Sequence, residues 1–168
     1  MNAVSPWPRV LITAGYIAML VGAIDPMEGS LLILPGGGLV ALGAFVGQVE
    51  KQLRLYRLWT FLLITFGVAA LWGLSFAGGF GGPSGLSIWW GILILPYLIG
   101  WSMSIWGLGV PRWVPAPGLG VGTWYLAMAL MILRQSENQA DAVAFVIGAI
   151  GVLTIGGCVY RLRKIIKG

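Results

Sequence analysis

The amino-acid sequence predicts an all-α integral membrane protein, a polytopic bundle of six helices in three hairpins that forms one domain over residues 1–168. Composition is the first reason: 58% of the residues are hydrophobic and only 9% are charged, whereas about a quarter of the residues are charged in soluble domains. The mean hydropathy is +0.92. The other two reasons are the apolar runs along the chain and the placement of the basic residues between them.

Six apolar runs are separated by charged residues or by Gly/Pro clusters. A helix needs about 20 residues to cross a hydrocarbon core of about 30 Å. The third, fourth and sixth runs reach that length comfortably. The first and fifth, at about 15 residues, must thin the bilayer, recruit flanking residues or end below its surface. The predicted helices are 10–24, 30–48, 58–76, 87–109, 119–133 and 142–160.

The basic residues predict the orientation. With the N-terminus in the cytoplasm, nine of the ten Lys and Arg residues fall on the cytoplasmic side, and only Arg134 falls outside. Basic residues are retained on that side, so we expect both termini in the cytoplasm and a location in the cytoplasmic (inner) membrane of a bacterium. The run that follows Arg9 resembles a signal peptide, but no small-residue cleavage motif follows Ile24, so we expect a retained first helix.

The residue inventory argues against catalysis. The sequence has no histidine and a single cysteine, Cys158, and Gly82-Pro83-Ser84-Gly85 lacks the spacing of a nucleophile elbow. We therefore expect no enzyme activity, no cofactor and no metal site. The net charge of +5 does not indicate nucleic-acid binding, because the charges lie in short segments between apolar runs. Anionic lipid headgroups are the expected counterions.

The candidate polar site lies on the predicted outer side and consists of Asp25, Glu28 and Arg134. The two carboxylates could bind a cation or an amine. Alternatively, Asp25-Pro26 ends one helix while Glu28 and Ser30 cap the next, and we favour this structural interpretation. We also expect Asp25 and Arg134 to approach each other across the bundle, because each would be costly alone below the membrane surface.

Proline and glycine mark possible helix breaks and packing faces. The segment Pro35-Gly36-Gly37-Gly38 interrupts the second run, and Pro96 predicts a milder kink in the fourth. Interrupted helices occur at transporter sites, but the same residues also allow kinks and close helix contacts, which we favour here. Gly43 and Gly47, four residues apart, are typical of a helix packing face.

Two functions remain in competition. The first is a non-catalytic structural or accessory subunit of a larger membrane assembly, with the lipid bilayer and other integral membrane subunits as partners. The alternative is a small homo-oligomeric channel or transporter for a neutral or weakly polar solute. It would rest on the interrupted helices and on a faint repeat, Ile33-Leu34-Pro35 and Ile94-Leu95-Pro96. Hydroxyl groups would line its pore, from Thr13, Thr65, Ser102, Ser104, Thr123 or Thr154.

Overall fold

The computed structural model describes residues 6–25, 28–79, 88–135 and 141–167, and within these ranges all regular structure is helical. This confirms the predicted all-α class. The elements are α1 (Trp7–Gly22), α2 (Ser30–Val46), α3 (Lys51–Phe76), a 3₁₀ helix (Ile88–Ile94), α4 (Leu95–Trp106), α5 (Pro115–Gln135) and α6 (Asp141–Lys167).

Three helices are long and apolar enough to cross a membrane. They are α3, residues 115–134 of α5 and residues 144–167 of α6, with mean hydropathies of 1.8, 1.5 and 1.8. These helices support a membrane-embedded protein. The shorter apolar helices are α1, α2 and the segment 90–106. From the sequence, the third, fourth and sixth runs were predicted to be full-length spans. In the structure the helices of the third, fifth and sixth runs are long enough, and that of the fourth run is one of the shorter ones.

Three predicted helices were too short: α3 and α5 begin earlier than predicted, and α6 ends later. α3 begins at Lys51 and α6 continues to Lys167, so the basic connection before the third run and the basic segment after the sixth are helical. The long apolar stems of Lys and Arg can lie along a helix while the charge reaches the surface. α5 begins at Pro115, because proline fits the first turn of a helix, where its missing N–H has no partner to lose.

The break at Pro35 that a transporter site would require does not occur in the second helix, and the fourth run is the one that divides. Pro35 lies inside α2, which continues from Ser30 to Val46. In the fourth run a 3₁₀ helix gives way to α4 at Leu95, with Pro96 in its first turn. The two copies of the proposed repeat therefore place their prolines differently, one inside a helix and one at a helix start.

Large apolar side chains lie on the outside of the molecule. Phe76 is 90% exposed, Phe145 77% and Leu153 62%. Among the buried residues, by contrast, are polar ones: Ser30, Arg57, Thr60, Ser104 and Thr154. A water-soluble protein would not carry so much apolar surface in contiguous faces. This distribution is the one expected when hydrocarbon surrounds the helices.

Glycines allow neighbouring helices to approach closely. A Cβ atom on Gly15 of α1 would lie 2.6 Å from the carbonyl oxygen of Gly36 in α2. Between α5 and α6, a Cβ on Gly151 would lie 2.9 Å from the carbonyl oxygen of Gly122. In both pairs the backbones themselves are in contact, and only a residue without a side chain permits this.

The α3–α4 contact gives a direct test of this packing. A Cβ on Gly67 would overlap the backbone nitrogen of Tyr97 in α4, whereas a Cβ on Gly73, also in α3, meets nothing within 4 Å. We expect Gly67→Ala to lower the free energy of unfolding by about 1–3 kcal/mol through overpacking. Gly73→Ala should be neutral or stabilising by up to about 1 kcal/mol, because alanine favours the helix. Unfolding in a single detergent measures both, and equal losses would contradict the packing described.

Candidate functional site

The end of α4 is held by side chains from α3 and α6. The hydroxyl of Tyr56 donates to the carbonyl oxygen of Met103 at 2.7 Å. Arg161 donates from Nε to the carbonyl oxygen of Trp106 at 3.1 Å and from Nη2 to that of Gly107. The last carbonyls of a helix lack partners within the helix, and positive charge is favourable there. These contacts satisfy the end of a helix that stops inside the protein.

Arg57 makes a similar contact with the segment that follows α4. It is 5% exposed and donates from Nη2 to the carbonyl oxygen of Gly109 at 2.7 Å. Gly109 has a φ of +67°, which glycine adopts without strain. A Cβ there would also lie 2.5 Å from Leu53 of α3. Glycine at this position is therefore required twice, by the backbone conformation and by the contact with α3.

Arg57 and its neighbour Arg54 retain unused donors. Nε and Nη1 of Arg57 and Nε of Arg54 are shielded from solvent and have no hydrogen-bond partner. We call Arg54, Arg57 and Arg161 the arginine cluster. Arg57 donates to the carbonyl oxygen of Gly109 and Arg161 to that of Gly107, so the two guanidinium groups bind the same short segment. The cluster supplies hydrogen-bond donors and positive charge, which suits the stabilisation of negative charge.

From the sequence, these arginines predicted only the orientation of the chain, and the cluster was missed. Helical spacing would have revealed it. In α3, Arg57 lies on the same buried face as Thr60, Ile64 and Gly67, at intervals of three or four residues. In α6, Arg161 follows the buried Cys158 at the same interval. The missed signal was a basic residue whose spacing places it on the buried face of a helix.

The predicted polar site is exposed. Asp25 and Glu28 both face outward, and the backbone N–H of Glu28 donates to Oδ1 of Asp25 at 3.3 Å. Pro26 and Met27 lie outside the described residues. The N-cap residue of α2 is Gly29, which has no side chain to cap the helix, and capping by Glu28 or Ser30 stays a prediction. Nε1 of Trp72 in α3 donates to the hydroxyl oxygen of Ser30 at 3.2 Å.

Arg134 is exposed in the last turn of α5. Nε1 of Trp124, ten residues earlier in α5, donates to the carbonyl oxygen of Ile24 at 3.0 Å. Arg134 is therefore about 15 Å further along the helix axis than the residue that contacts the end of α1. Asp25 acts electrostatically on the buried Tyr97 and Tyr125. The approach of Arg134 to Asp25 stays a prediction.

The glycines in and directly after α2 face two neighbouring helices, α1 and α3. A Cβ on Gly43 would lie 2.7 Å from Ile12, and one on Gly47 would lie 2.9 Å from Pro8, so both glycines face α1. Gly36 also faces α1, whereas Gly37 and Gly38 face α3, where their nearest side chains are Ile64 and Phe61 respectively. Pro35 is exposed. These residues pack the chain against itself and leave no break in α2.

Two surface clefts lie between helices, and both are mainly apolar. One, of about 410 Å³, lies between α1 and α5 and is lined by residues that include Leu20, Ile24 and Val121. The other, of about 340 Å³, lies between α2 and α3 beside Trp72 and Phe76. Within the described ranges, no three His, Cys, Asp or Glu side chains come together as a metal site would require.

A second set of small residues points away from the chain. Ala69, Gly73 and Ala77 recur every four residues at the end of α3, and all three are exposed. A Cβ on Gly73 would meet nothing within 4 Å, and the same holds for Gly120 in α5 and Gly156 in α6. We call Ala69, Gly73 and Ala77 the α3 outer face. It has the spacing of a helix-packing face but contacts no helix of this chain at its central glycine.

Comparison with known proteins adds no relative: no family model, curated protein or solved structure matches the chain.

The contact between Tyr56 and the end of α4 can be tested by removing one atom. Tyr56→Phe should lower the free energy of unfolding by about 1 kcal/mol, because the carbonyl oxygen of Met103 loses its side-chain donor. Tyr160→Phe is the matched control, since the Tyr160 side chain is 68% exposed and its change should stay within about 0.5 kcal/mol. Thermal unfolding in one detergent measures both. A loss at Tyr160 as large as at Tyr56 would refute the contact.

Proposed function

We propose that this chain is a non-catalytic integral membrane subunit of a larger membrane assembly. In this proposal all six helices lie in the cytoplasmic membrane of a bacterium as three hairpins, and both termini face the cytoplasm. Its partners are the lipid bilayer and the helices of other subunits. The observation that carries the proposal is the α3 outer face, whose central glycine, Gly73, has open space beside it within the part of the chain that the structure describes.

Glycine at an exposed position within a helix needs a reason. It lowers helix stability by about 0.5–1 kcal/mol relative to alanine. Where glycines such as Gly15 and Gly67 contact a neighbouring helix of the same chain, close packing offsets that cost. Gly73 has no such neighbour, and apolar association alone brings little in lipid, where close backbone contact is the main attraction. A helix from another subunit packed on the α3 outer face would supply it.

Two of the candidate pore hydroxyls favour this proposal over a channel or transporter, whereas Oγ1 of Thr154 is buried without a hydrogen-bond partner among the described residues. Thr65 donates to the carbonyl oxygen of Phe61 at 2.8 Å, and Thr123 donates to that of Gly120 at 2.8 Å. Both bonds lie within one helix, which is how isolated Ser and Thr residues are commonly satisfied in membrane helices. Hydroxyls engaged in this way are less available to replace the water around a solute.

Extraction in a mild detergent followed by native mass measurement tests the proposal. We expect the chain to travel with at least one unlike subunit at fixed stoichiometry. Gly73→Leu should remove that subunit while leaving the unfolding temperature of the isolated chain nearly unchanged, because a Cβ there has no atom of the described residues within 4 Å. Gly156→Leu, the same change at an exposed position of α6, is the control and should retain the partner.

Two results would contradict the proposal. The first is a pure homo-oligomer that conducts a solute when reconstituted into liposomes, which would indicate the channel or transporter instead. The second is an equal loss of the partner in Gly73→Leu and Gly156→Leu, which would remove the assignment of the α3 outer face as the contact surface.

A further inference from the structure

We propose that the arginine cluster binds a phosphate group, carried either by an anionic phospholipid headgroup or by free inorganic phosphate. The site consists of the unpartnered nitrogens of Arg54 and Arg57 together with the charge of Arg161. It is separate from the α3 outer face and does not depend on the proposed subunit function.

The first argument is the kind of atom that lacks a partner. Nε and Nη1 of Arg57 and Nε of Arg54 are all N–H donors, and all are shielded from solvent. A buried donor without an acceptor is costly, and more so on a charged group. Because every one of these atoms is a donor, the missing partner is an acceptor. A phosphate presents several strong acceptor oxygens at once, and arginine is well suited to bind it.

The second argument is charge. Arg57 is buried and donates to the carbonyl oxygen of Gly109, and Arg161 donates to that of Gly107, two residues away. Glu50 is the only acidic residue between Glu28 and Glu137 in the sequence, and it is exposed at the start of α3. Charges taken out of water need compensation, and the carbonyl groups at the end of α4 supply only partial charges. An anion would supply the rest.

The third argument is position. Arg54 is half-buried and lies one turn closer to the start of α3 than Arg57. The side chain of Arg54 is therefore the more accessible of the two, and the guanidinium of Arg57 is the more deeply buried. α3 is long and apolar enough to span a membrane, so its first turns lie at the depth where headgroup phosphates are found. A lipid phosphate can reach the half-buried side chain of Arg54 there.

The test is the unfolding temperature of the purified full-length chain in a neutral detergent, titrated with three probes. Phosphatidylglycerol presents lipid phosphate, sodium phosphate presents the free anion, and oleate presents an anionic lipid without phosphate. Stabilisation by phosphatidylglycerol alone supports the proposal with a lipid source. Stabilisation by sodium phosphate supports it with a free source. Stabilisation by oleate to the same extent, or by no probe, would overturn it.

Matched variants distinguish phosphate binding at the arginine cluster from a general effect of positive charge. Arg54→Gln should weaken phosphate binding about tenfold, the effect of losing one hydrogen bond to a charged group, and it leaves the contacts at the end of α4 intact. Arg163→Gln makes the same charge change at an exposed position of α6 and should bind as the unaltered chain does. Arg57→Lys keeps the charge but loses the planar donors and should also bind more weakly. Equal weakening in Arg54→Gln and Arg163→Gln would sink the proposal.

Discussion

Hydrocarbon around the helices is the constraint from which the rest of this structure follows. Lipid chains solvate leucine and phenylalanine as well as a protein core does, so residues such as Phe145 and Leu153 can face outward at no cost. Burial of apolar surface then contributes little to holding the helices together. Close backbone contact takes its place, as seen where Gly15 meets Gly36 and where Gly67 meets Tyr97.

The same constraint explains why charged groups lie inside the protein. Without water, every backbone carbonyl at membrane depth needs a partner from the protein. α4 ends at Trp106, and Tyr56 and Arg161 donate to carbonyl oxygens of its last turn. Long side chains from neighbouring helices thus supply donors to the end of a short helix. Arg57 donates to the carbonyl oxygen of Gly109, in the segment after α4, and its remaining donors are what make an anion site possible.

Periodicity and length predicted the part of the fold that depends on apolar content alone. The second run, predicted as 30–48, is α2 from Ser30 to Val46, and the all-α class follows from the composition. Basic residues misled the prediction, because Lys51 and Arg57 were taken as a connection although their helix had already begun. Pro35 and Pro96 could not be told apart from sequence, since the helix geometry at each depends on neighbours far along the chain. The arginine cluster needed three-dimensional contacts for the same reason.

The most direct test of the central claim is the reactivity of a cysteine placed on an outward face. Leu153→Cys and Ile166→Cys replace side chains that are 62% and 82% exposed, against a background of the single native Cys158, which is fully buried. In native membranes we expect a water-soluble maleimide to label position 166 and spare position 153, which becomes reactive only after the chain is unfolded in a denaturing detergent. Rapid labelling of both positions by the water-soluble reagent would show that water, and not hydrocarbon, covers this face.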